Sequence, residues 1–397
     1  MNPASGPSDP CSGVDTSSRR ELADWIKREA RALGFALVGI TTAEPFLEAE
    51  QRALAWLREG RQGEMAWLTP QRMRLAARPT ELLPGARSVI VVGASYRQEP
   101  ETAPAAAGPL GRIARYAGGE DYHDLLRARM AVLVDRLTHH LGVRPRTRLF
   151  VDSSPLLERE AAARAGLGFY GKNSMLLSPG GSYTLLGAIV TDLELEPDTP
   201  VVKDCGQCRL CLDACPTGAL YDGHAVDATR CLSYLTIELR GPIPTELRPA
   251  LGNWIFGCDV CQEVCPYNRG RGPLPLDGLR ARPSPGPQPA LIPLLELDQA
   301  RFSALFRGSP VKRAKRRGLV RNVAVALGNS GDPAAVPALV RALADPEPLV
   351  RGHVAWALGR LSGGQAVSAL RGALALEVDP WVRAELAAAL RAAQRVP

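Results

Sequence analysis

Cysteine is the residue type whose spacing in this chain most directly dictates chemistry. Eight of the nine cysteines lie between positions 205 and 265, in about one-sixth of the sequence. They read Cys205-x2-Cys208-x2-Cys211-x3-Cys215-Pro216, then Cys231, then Cys258-x2-Cys261-x3-Cys265-Pro266. Two 4Fe–4S clusters need eight thiolates, and a four-cysteine run closing on Cys-Pro is the bacterial ferredoxin pattern, whose fourth cysteine crosses to the other cluster. On that pattern Cys205, Cys208, Cys211 and Cys265 hold one cluster. Cys215, Cys258, Cys261 and Cys231 hold the second, with Cys231 filling the place left by the incomplete second run. Paired Cys-x2-Cys units also hold zinc, but a run of four ending in proline is not the usual zinc form. Disulfides belong to oxidising compartments, and the sequence shows no secretory signal, so reduced cysteines in the cytoplasm are expected. Such clusters pass single electrons, and an acceptor must lie elsewhere in the chain.

The elements that must position these groups fall into stretches of distinct composition. A length of 397 residues leaves room for two or three domains, and 46% hydrophobic with 22% charged residues is ordinary for a globular chain. No apolar run approaches the ~18 residues of a membrane span. Residues 1–18 are rich in Ser, Pro and Gly and read as a disordered tail, in which Cys11 is incidental. Residues 19–198 read as one α+β domain: strands near 35–40, 88–93, 147–151 and 182–190 alternate irregularly with helices at 19–33, 51–57 and 122–141 and a turn and helix over 152–165. The ferredoxin-like module spans 199–270, and the Pro-rich stretch 271–311 reads as a semi-extended connector. Residues 312–397 repeat: Leu319-Val-Arg321 with Ala-Val-Ala-Leu-Gly328 recurs as Leu349-Val-Arg351 with Ala-Trp-Ala-Leu-Gly359, and as Trp381-Val-Arg383 with Ala-Ala-Ala-Leu390. That is a HEAT-like helical repeat, which stacks into an open surface suited to a large partner.

Several groups outside the cysteines invite a chemical reading. Asp152 follows a strand and precedes a helix, where a side chain projects into a cleft or caps the helix. Gly166-Leu-Gly168-Phe-Tyr-Gly171 matches the dinucleotide fingerprint, but a helix precedes it where a strand is required, so a tight glycine turn is the better reading. His139 and His140 diverge on a helix and form no metal-spaced pair, which disfavours a zinc hydrolase. Lys312-Arg313-Ala-Lys315-Arg316-Arg317 is a dense basic run before the repeats, either a solvated face or a contact for nucleic-acid phosphates. The net charge of +7 favours a polyanionic partner.

Taken together, Leu82-Leu-Pro-Gly-Ala-Arg-Ser88, Arg115-Tyr116, Asp121-Tyr122-His123, Asp152-Ser-Ser-Pro155, Ala165-Gly-Leu-Gly-Phe-Tyr-Gly-Lys-Asn173, Cys231-Leu-Ser-Tyr-Leu-Thr236 and Asn253-Trp-Ile-Phe-Gly-Cys-Asp-Val-Cys261 resemble the epoxyqueuosine reductases. The match runs in order from about residue 20 to 270, and the repeats also fit. The resemblance implies that the N-terminal α+β domain binds cobalamin base-off, fed by the two clusters, and that the substrate is an epoxide on a modified base in a tRNA anticodon loop. It implies Asp152 as proton donor, its pKa raised by burial, and a cobalamin pocket drawing on Arg115, Tyr116, His123, Asp152, Lys172, Asn173, Leu176, Ser233, Cys258 and Asp259. Arg240, Lys312, Arg313, Lys315, Arg316 and Arg317, with the repeat arginines, become candidates for tRNA contact. The Asp-x-His-x-x-Gly signature of other cobalamin proteins is missing; Asp222-Gly-His224 begins like it but has Asp227 where Gly is required. An external electron donor, no membrane and a monomer are expected. Two other readings compete: a reductive dehalogenase-like corrinoid enzyme acting on a small molecule, which would not need the basic repeats, and an electron-transfer scaffold, which would leave the N-terminal domain without a task.

Overall fold

The computed structural model describes residues 16–98, 108–221, 224–270 and 272–394. Its N-terminal sheet has four strands, β1 (Leu37–Thr42), β2 (Ser88–Ser95), β3 (Thr147–Phe150) and β4 (Thr184–Thr191). They lie in the order β1–β2–β4–β3 with every pair antiparallel. β2 is buried at every position because the sheet is covered on both faces. On one face Ile40 and Ile90 pack with Ile26 of the Thr16–Ala32 helix and with Leu126 and Met130 of the Tyr122–Leu141 helix. On the other, Val89, Val91 and Phe150 meet Ala161 and Ala162 of the short Glu158–Arg164 helix. The helix expected from residue 19 begins at Thr16, so the tail is shorter than composition suggested; residues 1–15, with Cys11, lie outside the described residues, as do 99–107 and Asp222.

The glycine fingerprint resolves into a hairpin. Phe169–Tyr170 pairs with Leu176–Leu177, and a Cβ on Gly168 would sit 2.3 Å from the Leu177 carbonyl oxygen. Close backbone approach, not a phosphate, is what requires that glycine.

The cysteine-rich module docks on the edge where β2 ends and β4 begins. Gln262 accepts hydrogen bonds through Oε1 from Tyr96 Oη (3.2 Å) and Ser182 Oγ (2.8 Å), and Asn268 Oδ1 accepts from the Ser182 amide at 2.8 Å. Gln262 Nε2 donates to Asp259 Oδ1 at 3.1 Å, and Asp259 Oδ2 accepts from the Arg115 amide at 2.8 Å. Every member of this buried network has a partner, the condition under which such a network fixes one arrangement.

The Pro-rich stretch is not a free connector. Leu276 and Leu279 are buried in the N-terminal core, while Leu291, Leu294 and Phe302, on the helices Leu291–Leu295 and Gln299–Leu305, join the core of the repeats. Apolar residues set among the prolines anchor the strap at both ends.

The helices Lys315–Ser330, Pro348–Leu361 and Pro380–Ala393 stack as successive repeats, interleaved with Val336–Ala342 and Gly364–Leu376. A Cβ on Gly328 would lie 2.8 Å from Ala357 Cα, and one on Gly359 2.8 Å from Ala389 Cα. The recurring Leu-Gly therefore marks where one helix backbone rests on the next; the third unit has Arg391 at that position. Two of the three repeat arginines are drawn away from a positive surface, while Arg383 stays exposed. Arg321 is fully buried and donates to the carbonyls of Leu235, Leu239 and Gly241, Arg351 pairs with Glu377, and Arg383 donates to the carbonyls of Leu374 and Glu377.

Arg248 joins the cysteine module to the last repeat helix. It is 1% exposed and holds Glu385 through two hydrogen bonds of 2.6 and 2.8 Å. Removing one partner of a buried ion pair strands the other, so Arg248→Ala is expected to destabilise the C-terminal repeats by about 3–5 kcal/mol. Denaturant melts of wild type, Arg248→Ala and Arg248→Met/Glu385→Leu check this, with the double variant expected to recover much of the loss.

Candidate active site

The eight thiols divide into two groups in space. Burial raises the Cys211 pKa, aided by repulsion from Cys205, Cys265 and Cys208, and burial with repulsion from Cys205 and Cys208 raises that of Cys265. Burial, then charge on Cys231 and Cys215, pushes Cys258 up to about 12, and burial, then Cys258 and Cys231, raises Cys261 well above the ordinary thiol range. Cys205, Cys208, Cys211 and Cys265 thus neighbour one another, as do Cys215, Cys231, Cys258 and Cys261. Cys261 also feels Cys211, which sets the groups side by side. Four thiolates gathered by the fold repel one another unless a cation offsets them, which is the condition a metal cluster meets. Around Cys205, Cys208, Cys211 and Cys265 there is a cavity of about 170 Å³, larger than the ~150 Å³ that accommodates benzene. The donor set and the space fit an iron–sulfur cluster. At the other group, burial raises the Cys231 pKa while nearby Ser233 works to lower it.

Asp152 stands just past β3, at the same edge of the sheet as the docked module. It does not cap the following helix, which starts at Glu158; its backbone is left-handed, with φ +47°. A non-glycine residue held there is strained, a feature that concentrates at functional sites. Three contacts hold it: Asp152 Oδ2 accepts from Tyr122 Oη at 2.5 Å and lies 3.4 Å from His123 Nε2, while its amide donates to Glu158 Oε1 at 2.6 Å. His123 Nδ1 bonds Asp121 Oδ1 at 2.7 Å, and Asp121 also caps the Tyr122–Leu141 helix. Tyr122, His123 and Asp152 thus converge because the cap fixes the first helical turn against the end of β3.

The charges in this cluster are opposite to the expectation for Asp152. Burial works to raise its pKa, but the hydrogen bonds from His123 and Tyr122 stabilise the anion and hold the carboxyl below its ordinary value. The side chain is 66% exposed, so the burial on which the expectation rested is incomplete. Burial works to lower the His123 pKa, yet the bonds to Asp121 and Asp152 outweigh it and raise it to about 9. Burial, with repulsion from Asp152, raises Glu158 to about 8. The protons at neutral pH therefore sit on His123 and Glu158, beside an ionised Asp152.

A pH effect on stability follows. A group whose folded pKa is raised stabilises fully below its unfolded value and loses that contribution as pH rises through the folded one. For His123 this window runs from 6.5 to about 9 and for Glu158 from 4.5 to about 8. Both losses have the same sign, and stability should fall most steeply where the windows overlap. Melting wild type and a His123→Phe/Glu158→Gln variant from pH 5 to 9 should show the steeper decline in wild type alone.

The other expected site residues take several positions. Arg115 lies over the Tyr183 ring at 4.8 Å, and Tyr116 packs where three apolar cores meet. Lys172 donates to the carbonyls of Gly206 (2.7 Å) and Cys208 (3.1 Å), and Asn173 to that of Cys261 (3.4 Å), so both brace the cysteine module. Leu176 is 5% exposed in the core below the sheet, turned from the cleft because it pairs in the hairpin. Two buried polar atoms near the module, Tyr183 Oη and Arg97 Nη1, have no partner among the described residues; the sequence reading missed both, and nothing in their spacing signalled them.

The basic run forms the rim. Arg313 pairs with Glu238 through hydrogen bonds of 2.9–3.1 Å, and Arg240 donates to the Arg313 carbonyl oxygen at 3.0 Å. Burial, with repulsion from Arg313 and Arg317, lowers the Arg240 pKa, and Arg313 feels the charge of Asp152. Arg240, Arg313 and Arg317 therefore stand close enough to repel one another, and Arg313 is the one that senses the aspartate. Lys312 and Lys315 are exposed, but Arg316 is withdrawn into a largely buried ion pair with Asp345.

Comparison with known proteins accounts for this layout. Residues 77–153 match the family model for epoxyqueuosine reductase QueG (DUF1730), residues 204–268 a 4Fe-4S double cluster binding domain, and residues 316–391 HEAT repeats. The epoxyqueuosine reductase of Escherichia coli K12 is 42% identical over 348 residues, covering 86% of this chain and 89% of that protein. That of Pseudomonas aeruginosa PAO1 is 41% identical, covering 85% and 94%. A solved epoxyqueuosine reductase from Bacillus subtilis superposes with a TM-score of 0.87 at 32% identity over 94% of this chain and 99% of its own. An epoxyqueuosine reductase bound to an epoxyqueuosine-modified tRNA-Tyr stem loop gives 0.88, also at 32% identity and over the same shares. With its sheet, its double-cluster module and its repeats all accounted for, the chain belongs to the epoxyqueuosine reductase family.

Proposed function

We infer that the protein reduces the epoxide of epoxyqueuosine in a tRNA anticodon loop to the alkene of queuosine, with cobalamin and two 4Fe–4S clusters as redox groups and Asp152 as proton donor. The observation that carries this reading is the placement of Asp152, held by Tyr122 and His123 at the sheet edge where the double-cluster module docks and sensed by Arg313 of the basic run, in a chain of this family. The net reaction takes two electrons and two protons and releases the epoxide oxygen as water. When bound, cobalamin supplies a cobalt centre able to pass electrons to the epoxide carbon, and the clusters supply those electrons singly.

The chain's own residues do the rest. Arg115, Tyr116, Ser233 and the Cys258–Asp259 segment would hold the corrinoid, and the unpartnered Tyr183 Oη and Arg97 Nη1 fit the amide arms that rim such a ring. Lys172 and Asn173 act behind them by fixing the module. Opening an epoxide leaves an alkoxide, a poor leaving group until protonated, and Asp152 delivers that proton. The proton is stored on His123, whose ring lies within 3.4 Å of the carboxylate. Bound substrate excludes water from the exposed side of Asp152, and desolvation then raises its pKa toward that of a donor. Arg240, Arg313, Arg317, Lys312 and Lys315 bind the phosphates of the loop. A tRNA substrate is consistent with a cytoplasmic enzyme.

Anaerobic titration of the cluster-loaded protein with cob(II)alamin tests the corrinoid reading. The expected result is stoichiometric binding, read from the change in the corrinoid's absorption spectrum; a protein that binds no corrinoid would contradict it.

A further inference from the structure

We propose that Trp67 is a stacking platform for an unpaired base flanking the modified one in the anticodon loop, an inference that rests on the tRNA reading above. Trp67 is 42% exposed, an unusual state for so large an apolar ring, and it lies beside the basic rim rather than among scattered surface residues. The Arg313 guanidinium stands over the ring, 4.8 Å from its centre, and is itself held by Glu238. The chain just after Trp67 reaches toward Asp152 through Arg72, which donates to the carbonyl oxygen of the neighbouring Ser153 at 2.7 Å.

The loop that carries Trp67 is fixed on both sides. Before it, the Glu64 amide donates to Tyr234 Oη at 2.7 Å and Glu64 Oε2 accepts from the Arg240 amide at 3.0 Å. After it, Thr69 caps the Pro70–Ala76 helix, and Arg72 of that helix donates to the Ser153 carbonyl oxygen at 2.7 Å. The indole is thus tied through one end of its loop to the basic rim and through the other to the residue after Asp152. A rigid exposed aromatic with a cation on its face, next to phosphate-binding arginines, is the arrangement that receives splayed single-stranded bases. Stacking there would hold the loop open and set the modified base over Asp152, whereas a purely structural tryptophan would bury its ring.

The test uses the full-length, cluster-loaded protein and fluorescence anisotropy with an epoxyqueuosine-bearing anticodon stem-loop RNA. Trp67→Ala is expected to weaken binding about tenfold, with Trp67→Phe close to wild type and the salt dependence unchanged, because stacking adds no charge. An abasic sugar placed in turn at each nucleotide flanking the modified base should cost wild type the same factor at one position, and Trp67→Ala should lose nothing further there. If Trp67→Ala binds the intact RNA as tightly as wild type, or loses its factor equally on every abasic RNA, the platform is overturned while the tRNA reading stands. If wild type binds no stem-loop RNA, both fall.

Discussion

Asp152→Asn is expected to leave the fold and both kinds of redox group in place while lowering the single-turnover rate by about 10²- to 10⁴-fold, the range that a positioned general acid contributes. The amide keeps the size of the carboxyl and can still accept from Tyr122 Oη, so the left-handed turn at φ +47° has no new reason to relax. What is lost is the proton path. His123 loses the anion that helps to hold its proton, and its pKa should drop from about 9 toward the ordinary value of 6.5. A ring-proton titration by NMR reads this shift separately from turnover. A variant that turns over at the wild-type rate would remove Asp152 from the chemistry; a slow variant with an unshifted His123 would remove the stored proton.

Cys261→Ala is expected to abolish turnover and to halve the iron content after reconstitution. Cys261 belongs to the group with Cys215, Cys231 and Cys258 and is also the thiol that senses Cys211 of the other group. Asn173 donates to the Cys261 carbonyl oxygen and so ties this thiol's backbone to the N-terminal domain. Cys205→Ala should also halve the iron but spare the second group. Full iron in Cys261→Ala would refute its assignment as a ligand.

Much of this was legible in the sequence because it rests on local spacing. The cysteine runs dictate which thiols can meet, and the β-branched run Val89-Ile-Val-Val92 marks a strand wherever it is placed. The repeats were visible because the same buried Leu-Gly contact recurs with each helix pair. What could not be read is what long-range packing decides. Arg316 and Arg313 look alike in a basic run, yet Asp345, 29 residues on, draws one inward while Glu238 holds the other beside the active site. Asp152 was expected to be raised by burial; two donors on the Tyr122–Leu141 helix, 30 residues earlier, reverse the direction. Lys172 and Asn173 sit in the turn of the hairpin and reach the cysteine module, while Leu176, three residues after Asn173, begins the returning strand and packs into the core. Trp67 carried no signal at all, since its meaning comes from Arg313, which the sequence places far away.

The central claim is the reaction, and one measurement meets it directly: a single turnover, under anaerobic conditions, of epoxyqueuosine-containing tRNA with protein carrying both clusters and cobalamin, followed by mass spectrometry of the digested nucleosides. The account predicts that wild type converts epoxyqueuosine to a nucleoside lighter by one oxygen, only with reductant and cobalamin present. An unchanged nucleoside from protein with full iron and bound corrinoid would contradict it.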